Sequence, residues 1–199
     1  MSVSESRLDQ GAQDVDVSKL RERIGARSVV LVGMMGCGKT SVGRQLAARM
    51  RLPFVDADIE IEKAANLSIP EIFTSHGEDY FRAGEQRVIA RLLGQPPQIL
   101  ATGGGAYMNP QTRAAVAEHG ISVWLKADFD TLFERVRRKA NRPLLKDADP
   151  EGVMRRLLVE REPIYAKADL TITSRDVPHE TVVDDILTAL EGYLSAHGA

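Results

Sequence analysis

Two hydrophobic regimes alternate along this chain. Short, mainly apolar runs occur at 28–32, 53–56, 98–101, 121–125 and 169–173. Between them, apolar residues return every three or four positions over 41–50, 58–93, 110–119, 128–138, 150–167 and 178–196. The first regime predicts buried strands and the second predicts amphipathic helices. Strands alternating with helices predict an α/β fold, a parallel sheet covered on both faces. In such a sheet ligands bind beyond the carboxyl ends of the strands. No internal repeat or low-complexity segment interrupts the pattern.

The loop after the first run carries the strongest chemical signal. It reads Gly33-Met34-Met35-Gly36-Cys37-Gly38-Lys39-Thr40, which fits G-x-x-x-x-G-K-[ST] between a strand and a helix. Such a loop points successive backbone N–H groups and a positive helix end at one place, so it cradles phosphates. Lys39 adds a charge for the β- and γ-phosphates, and the Thr40 hydroxyl can ligate Mg²⁺. A nucleoside triphosphate is the implied ligand.

The charge balance narrows the class. The 199 residues carry a net charge of −2 with a pI near 6.1, so no global field draws nucleic acid or an anionic membrane. No apolar run approaches the ~18 residues of a membrane helix, and the polar first residues fit neither a secretory signal nor a transit peptide. Cys37 is the single cysteine, which suits a reducing compartment, and the four histidines are too scattered for a local zinc motif. Residues 1–26 are expected to form a polar, flexible or weakly docked tail, helical around 18–24, with one domain over 27–199.

Phosphoryl transfer needs a metal-supporting carboxylate, an acceptor site and extra cations. Asp56 and Asp58 end the second apolar run, one placed to support Mg²⁺ and the other to meet an acceptor hydroxyl. Asp58 is equally suited to cap a helix starting near Ile59. Gly103, Gly104 and Gly105 follow the third run, where backbone can approach a ligand closely. Arg82, with Phe73 and Phe81 as an apolar wall, and Arg161, two residues before Pro163, are candidates to grip a carboxylate. Residue physics permits their convergence without requiring it. The basic segment 138–150 reads as a lid over the triphosphate or as a solvated loop.

Taken together, these motifs resemble the shikimate kinases, relatives of the nucleoside monophosphate kinases. The resemblance spans about 28–195 and rests on the P-loop, Asp56-x-Asp58 and Phe81-Arg82 with Glu85. Gly103-Gly104-Gly105, Arg142-Pro143-Leu144-Leu145 and Arg161-x-Pro163-x-Tyr165 complete it. It implies a five-stranded sheet of order 2-3-1-4-5, with 58–93 as substrate-binding region and 138–150 as lid. It also implies transfer of a phosphoryl group from ATP to the 3-hydroxyl of shikimate, with Mg²⁺ as cofactor.

By the same resemblance, Asp58, Lys39 and Arg142 are catalytic. Gly33, Gly36, Cys37, Gly38, Lys39, Thr40, Ser41, Arg138, Arg142, Arg175 and Pro178 bind ATP. Asp58, Phe73, Phe81, Arg82, Glu85, Gly103, Gly104, Gly105, Pro143, Leu144 and Arg161 bind shikimate. Thr40 ligates the metal and Asp56 holds it through water. Arg137 competes with Arg138 for adenine. A cytoplasmic monomer without nucleic-acid or membrane partners is expected. The rival readings are a gluconate kinase-like enzyme of the same fold and a nucleotide-binding regulator without catalysis. A nucleoside monophosphate kinase lacks support because no Asp-Gly-x-Pro-Arg segment occurs, and a GTPase because no Asn-Lys-x-Asp occurs.

Overall fold

A strand buried on both faces has little use for polar side chains, and residues 28–32 behave accordingly. In the computed structural model, which describes residues 15–138, 148–174 and 177–198, they form a central strand buried along its whole length. In chain order the elements are α1 (Val17–Ile24), β1 (Ser28–Val32), α2 (Lys39–Met50), β2 (Phe54–Asp56), α3 (Ala57–Ala65) and α4 (Ile69–Leu93). Then come β3 (Ile99–Ala101), α5 (Pro110–His119), β4 (Gly120–Lys126), α6 (Phe129–Arg137), α7 (Pro150–Tyr165), β5 (Leu170–Thr173) and α8 (His179–Ala196).

All four strand pairings are parallel, and the order is β2-β3-β1-β4-β5, as the resemblance implied. Val29 pairs with both Ile99 and Ile121, which sets the register at the centre of the sheet. Beyond the strand ends, Thr102 fixes the next step. Its amide (3.2 Å) and its hydroxyl (3.0 Å) both donate to the carbonyl of Leu31, so β3 and β1 leave the sheet together.

Three details differ from the sequence expectations. The stretch 58–93 is two helices, because Asn66 ends α3 in the left-handed conformation and Ser68 starts α4 with a capping box to Glu71. Within α4, Gly77 (φ 81°, ψ 177°) breaks the helical path. Helix α7, by contrast, runs through Pro163 to Tyr165, within the stretch 150–167 expected to be helical.

The third difference concerns the N-terminal extension. Asp16 caps α1 by accepting from the amides of Ser18 and Lys19, and Leu20 and Ile24 are each only 2 % exposed. This helix packs on α8 and α2. An eight-residue helix is unstable alone, so its order comes from that docking. The expected weak docking does not hold for residues 17–24; residues 1–14 lie outside the described residues. Among the described residues no helix is long and apolar enough to cross a membrane.

Leu20→Ala should therefore lower stability by about 2–5 kcal/mol through lost burial and the cavity left behind. Urea unfolding measures this directly. A loss under about 0.5 kcal/mol, typical of surface changes, would mean that α1 is not part of the core.

Candidate active site

Backbone geometry builds the phosphate cradle. Gly33, Gly36 and Gly38 have φ of 135°, 86° and 98°, a region side chains disfavour. A Cβ on Gly36 would also lie 2.9 Å from the carbonyl of Leu132. Gly38 precedes α2 and no side chain caps that helix start, so its positive end faces the loop. The Lys39 ammonium donates to the carbonyls of Gly33 (2.7 Å) and Met34 (2.9 Å), which keeps it within the loop. Cys37 is buried, so only its backbone can meet a phosphate. Its carbonyl accepts from Ser174, whose Oγ in turn accepts from Arg135 (3.1 Å).

The two aspartates divide their tasks differently from the capping expectation. Helix α3 starts at Ala57, and Asp56 is its cap, with Oδ1 accepting from the Asp58 amide at 3.1 Å. The other oxygen, Oδ2, accepts from the Thr40 hydroxyl at 3.0 Å. Capping by Asp56 rather than Asp58 leaves the Asp58 carboxylate for the cleft.

The three glycines after β3 bring the acceptor side together. A Cβ on Gly103 would lie 2.8 Å from both Asp58 Oδ1 and Glu85 Oε1. One on Gly104 would lie 3.4 Å from an Arg161 nitrogen and 3.5 Å from the Met35 amide of the phosphate loop. One on Gly105 would lie 2.5–2.8 Å from the guanidinium of Arg82. Any side chain at 103 or 105 would displace a charged group, so the small residues allow this convergence. Arg82 is aimed by Glu85 (2.8 Å) and Glu78 (3.1 Å) and lies over the Phe81 ring at 5.1 Å. Phe73, 37 % exposed, packs its ring 4.7 Å from that of Phe81.

Donor and acceptor halves share one cleft of about 340 Å³. Gly36, Gly38, Lys39, Thr40 and Ser41 line one side, and Asp56, Asp58, Gly103 and Gly104 the other. Arg138 also lines it and pairs with Glu134, whereas Arg137 turns to the ring of Phe133, 5.9 Å away. Pro178 precedes α8, whose first residue, His179, reaches the cleft. Arg142, Pro143, Leu144 and Arg175 lie outside the described residues, as does most of the 138–150 segment.

Several contributors were given no role by sequence reasoning. Tyr165 donates its hydroxyl to the carbonyl of Gly104 and stacks on Trp124. Burial raises its pKa, against the nearby Arg161, so it stays a donor at neutral pH. Its position four residues after Arg161 was the available signal, since both then share a helix face. Arg135, three residues before Arg138, and Thr102 were legible in the same way only after the helix and strand ends were known.

Thr40 and Asp56 offer hard oxygen donors beside the phosphate loop, which fits Mg²⁺ held jointly with substrate phosphates. No cluster of three or more His, Cys, Asp or Glu side chains among the described residues would hold a metal unaided.

Several known proteins similar to this chain share one family. The family model for shikimate kinase matches residues 35–191. A shikimate kinase of Bradyrhizobium diazoefficiens is 60% identical over 176 residues, covering 88% of this chain and 85% of that protein. One from Novosphingobium aromaticivorans is 54% identical, covering 90% of this chain and 94% of that protein. The solved shikimate kinase of Acinetobacter baumannii in complex with shikimate superposes with a TM-score of 0.82 at 36% identity, covering 87% of this chain and 97% of that one.

Glu85 supplies a pH test of the site. It is 2 % exposed, and among the described residues its Oε1 has no hydrogen-bond partner. Burial raises its pKa, with Arg82 pulling the other way and Asp58 adding to the rise. A carboxyl with a raised folded pKa contributes its stability below the unfolded value near 4.5 and loses it as pH rises through the folded value. The stability of the native chain minus that of Glu85→Gln should therefore fall as pH increases from about 4 to 8. Thermal melts across that range test it, and a rising difference would reverse the assignment.

Proposed function

The chain belongs to the shikimate kinase family, and from that premise we propose how its own residues conduct the reaction. It is a phosphotransferase with an alcohol acceptor: ATP donates a phosphoryl group to the 3-hydroxyl of shikimate, on the route to aromatic amino acids. The residue roles below are our reading. The convergence of Asp58, Glu85, Arg161 and Arg82 on Gly103, Gly104 and Gly105, beside the phosphate loop, carries it.

A loose phosphoryl-transfer transition state asks for alignment and charge neutralisation more than covalent help. Lys39 and the amides of residues 33–40 hold the donor phosphates. Arg82 and Arg161 fork the acceptor's carboxylate, and the Glu85 and Glu78 ion pairs hold the first of these forks in one orientation. Asp58 accepts a hydrogen bond from the reacting hydroxyl and takes its proton as the new bond forms. Glu85 Oε1, buried and unpartnered, gains a donor when a ring hydroxyl arrives. Thr40 and Asp56 are the residues that would hold a Mg²⁺ arriving with ATP, and such an ion would supply charge neutralisation at the phosphates. Arg138, which lines the cleft, and Pro178 are assigned to the base, as is Arg175, and Arg142 to the transferring group; Arg142 and Arg175 lie outside the described residues. A monomer in a reducing cytoplasm completes the reading, in keeping with the lone buried thiol of Cys37.

A gluconate kinase-like enzyme would also meet an anionic acceptor, so turnover on each acceptor separates the two readings. ADP release with ATP and Mg²⁺ should depend on shikimate and be slower on gluconate and on nucleoside monophosphates. Faster turnover on gluconate would overturn the assignment. Asp58→Asn should lower kcat by about 10²–10⁴-fold with little change in KM. Arg82→Ala should raise the shikimate KM by roughly 10–100-fold, the cost of charge-assisted hydrogen bonds lost in ground and transition states alike. Unchanged KM in Arg82→Ala would remove the carboxylate-grip role.

A further inference from the structure

Helix α4 presents two different faces beyond Gly77. Glu78, Arg82 and Glu85 share one, turned to the acceptor site. Gly84, Arg87 and Val88 share the other, which looks into a cavity of about 310 Å³ between α4 and α3. Its walls are mainly apolar, with Ile61, Ile72, Phe81 and Val88 among them. Gly84 is the unexpected member. A glycine inside a helix costs about 1 kcal/mol relative to alanine. Here a Cβ would meet nothing within 4 Å among the described residues, and no packing demand from them accounts for the small residue. Its effect is to keep the cavity floor open.

The second observation is charge. Arg87 lines the same cavity, is exposed, and bonds through Nε to the carbonyl of Ala83 at 3.2 Å. No carboxylate pairs with it among the described residues, whereas its neighbour Arg91 pairs with Glu60. An apolar cavity at the small end of ligand-site volumes, rimmed by an unpaired guanidinium, is complementary to one chemistry. We propose that this cavity binds a small aromatic carboxylic acid. The ring lies over Gly84 among Ile61, Ile72, Phe81 and Val88, and the carboxylate meets Arg87. The cavity is separate from the acceptor site but shares Phe81, over which Arg82 lies.

Indole-3-propionate serves as the probe, titrated calorimetrically into the full chain with its neutral amide as the comparison. About 14 non-hydrogen atoms at ordinary ligand efficiency give a Kd near 1 mM. The amide should bind at least about tenfold more weakly, as should the acid to Arg87→Gln. Gly84→Leu should fill the cavity and abolish binding while keeping the native shikimate KM and kcat, which also shows that it folds. The proposal fails if the native chain shows no binding at several times that concentration. It also fails if Arg87→Gln or folded Gly84→Leu binds the acid as the native chain does, since the probe would then occupy the acceptor site.

Discussion

Both halves of the active site hang from one carbonyl. Leu31 O, one residue before the end of β1, accepts from the amide and the hydroxyl of Thr102, which is itself buried. The phosphate loop begins two residues after Leu31, and the glycine run begins one residue after Thr102. A shift of β3 by one residue would carry Gly103 away from Asp58 and Glu85 and turn alternate side chains to the wrong face. The distance between the phosphate to be moved and the hydroxyl to receive it is thus set by sheet register, and the loops inherit that setting.

Around this frame the charged groups are assigned singly. Asp56 gives one oxygen to a helix cap and one to Thr40, so neither is left to wander toward Lys39. Arg82 is held by two glutamates, one of them buried, and the buried one keeps an oxygen in reserve. Leaving a buried acceptor unpaired costs about 1–3 kcal/mol. A ligand with a donor in the right place would offset that cost, so on the proposed reading Glu85 favours an acceptor that carries a hydroxyl there.

Much of this was legible in the residues, and what was not has a physical reason. Residues 33–40 could be read because their function depends on local backbone and the two flanking elements. The sheet order came from resemblance, since apolar runs alone do not say which strand lies beside which. Arg82 and Arg161 sit on different helices, and only tertiary packing against Gly104 and Gly105 makes them neighbours. In Phe54-Val-Asp-Ala-Asp58 two residues could cap a helix, and boundaries are fixed by which one the strand end presents. Tyr165 enters the sequence reading only as part of a motif, and its hydroxyl gains meaning from the carbonyl of Gly104. Helix α1 has just two buried positions, too few to announce docking without the partner surface.

The dependence of Gly33 on β4 has a bearing on how the molecule is made. A Cβ at Gly33 would lie 2.8 Å from the carbonyl of Leu125 and 3.3 Å from the Trp124 ring, so β4 forms the wall behind the phosphate loop. That wall is translated roughly 90 residues after the loop it supports. Until β3 and β4 emerge and pair with β1, the loop has neither register nor backing, and its glycines are free to sample many conformations. A nascent or truncated chain can therefore carry the full nucleotide-binding motif without being a nucleotide trap.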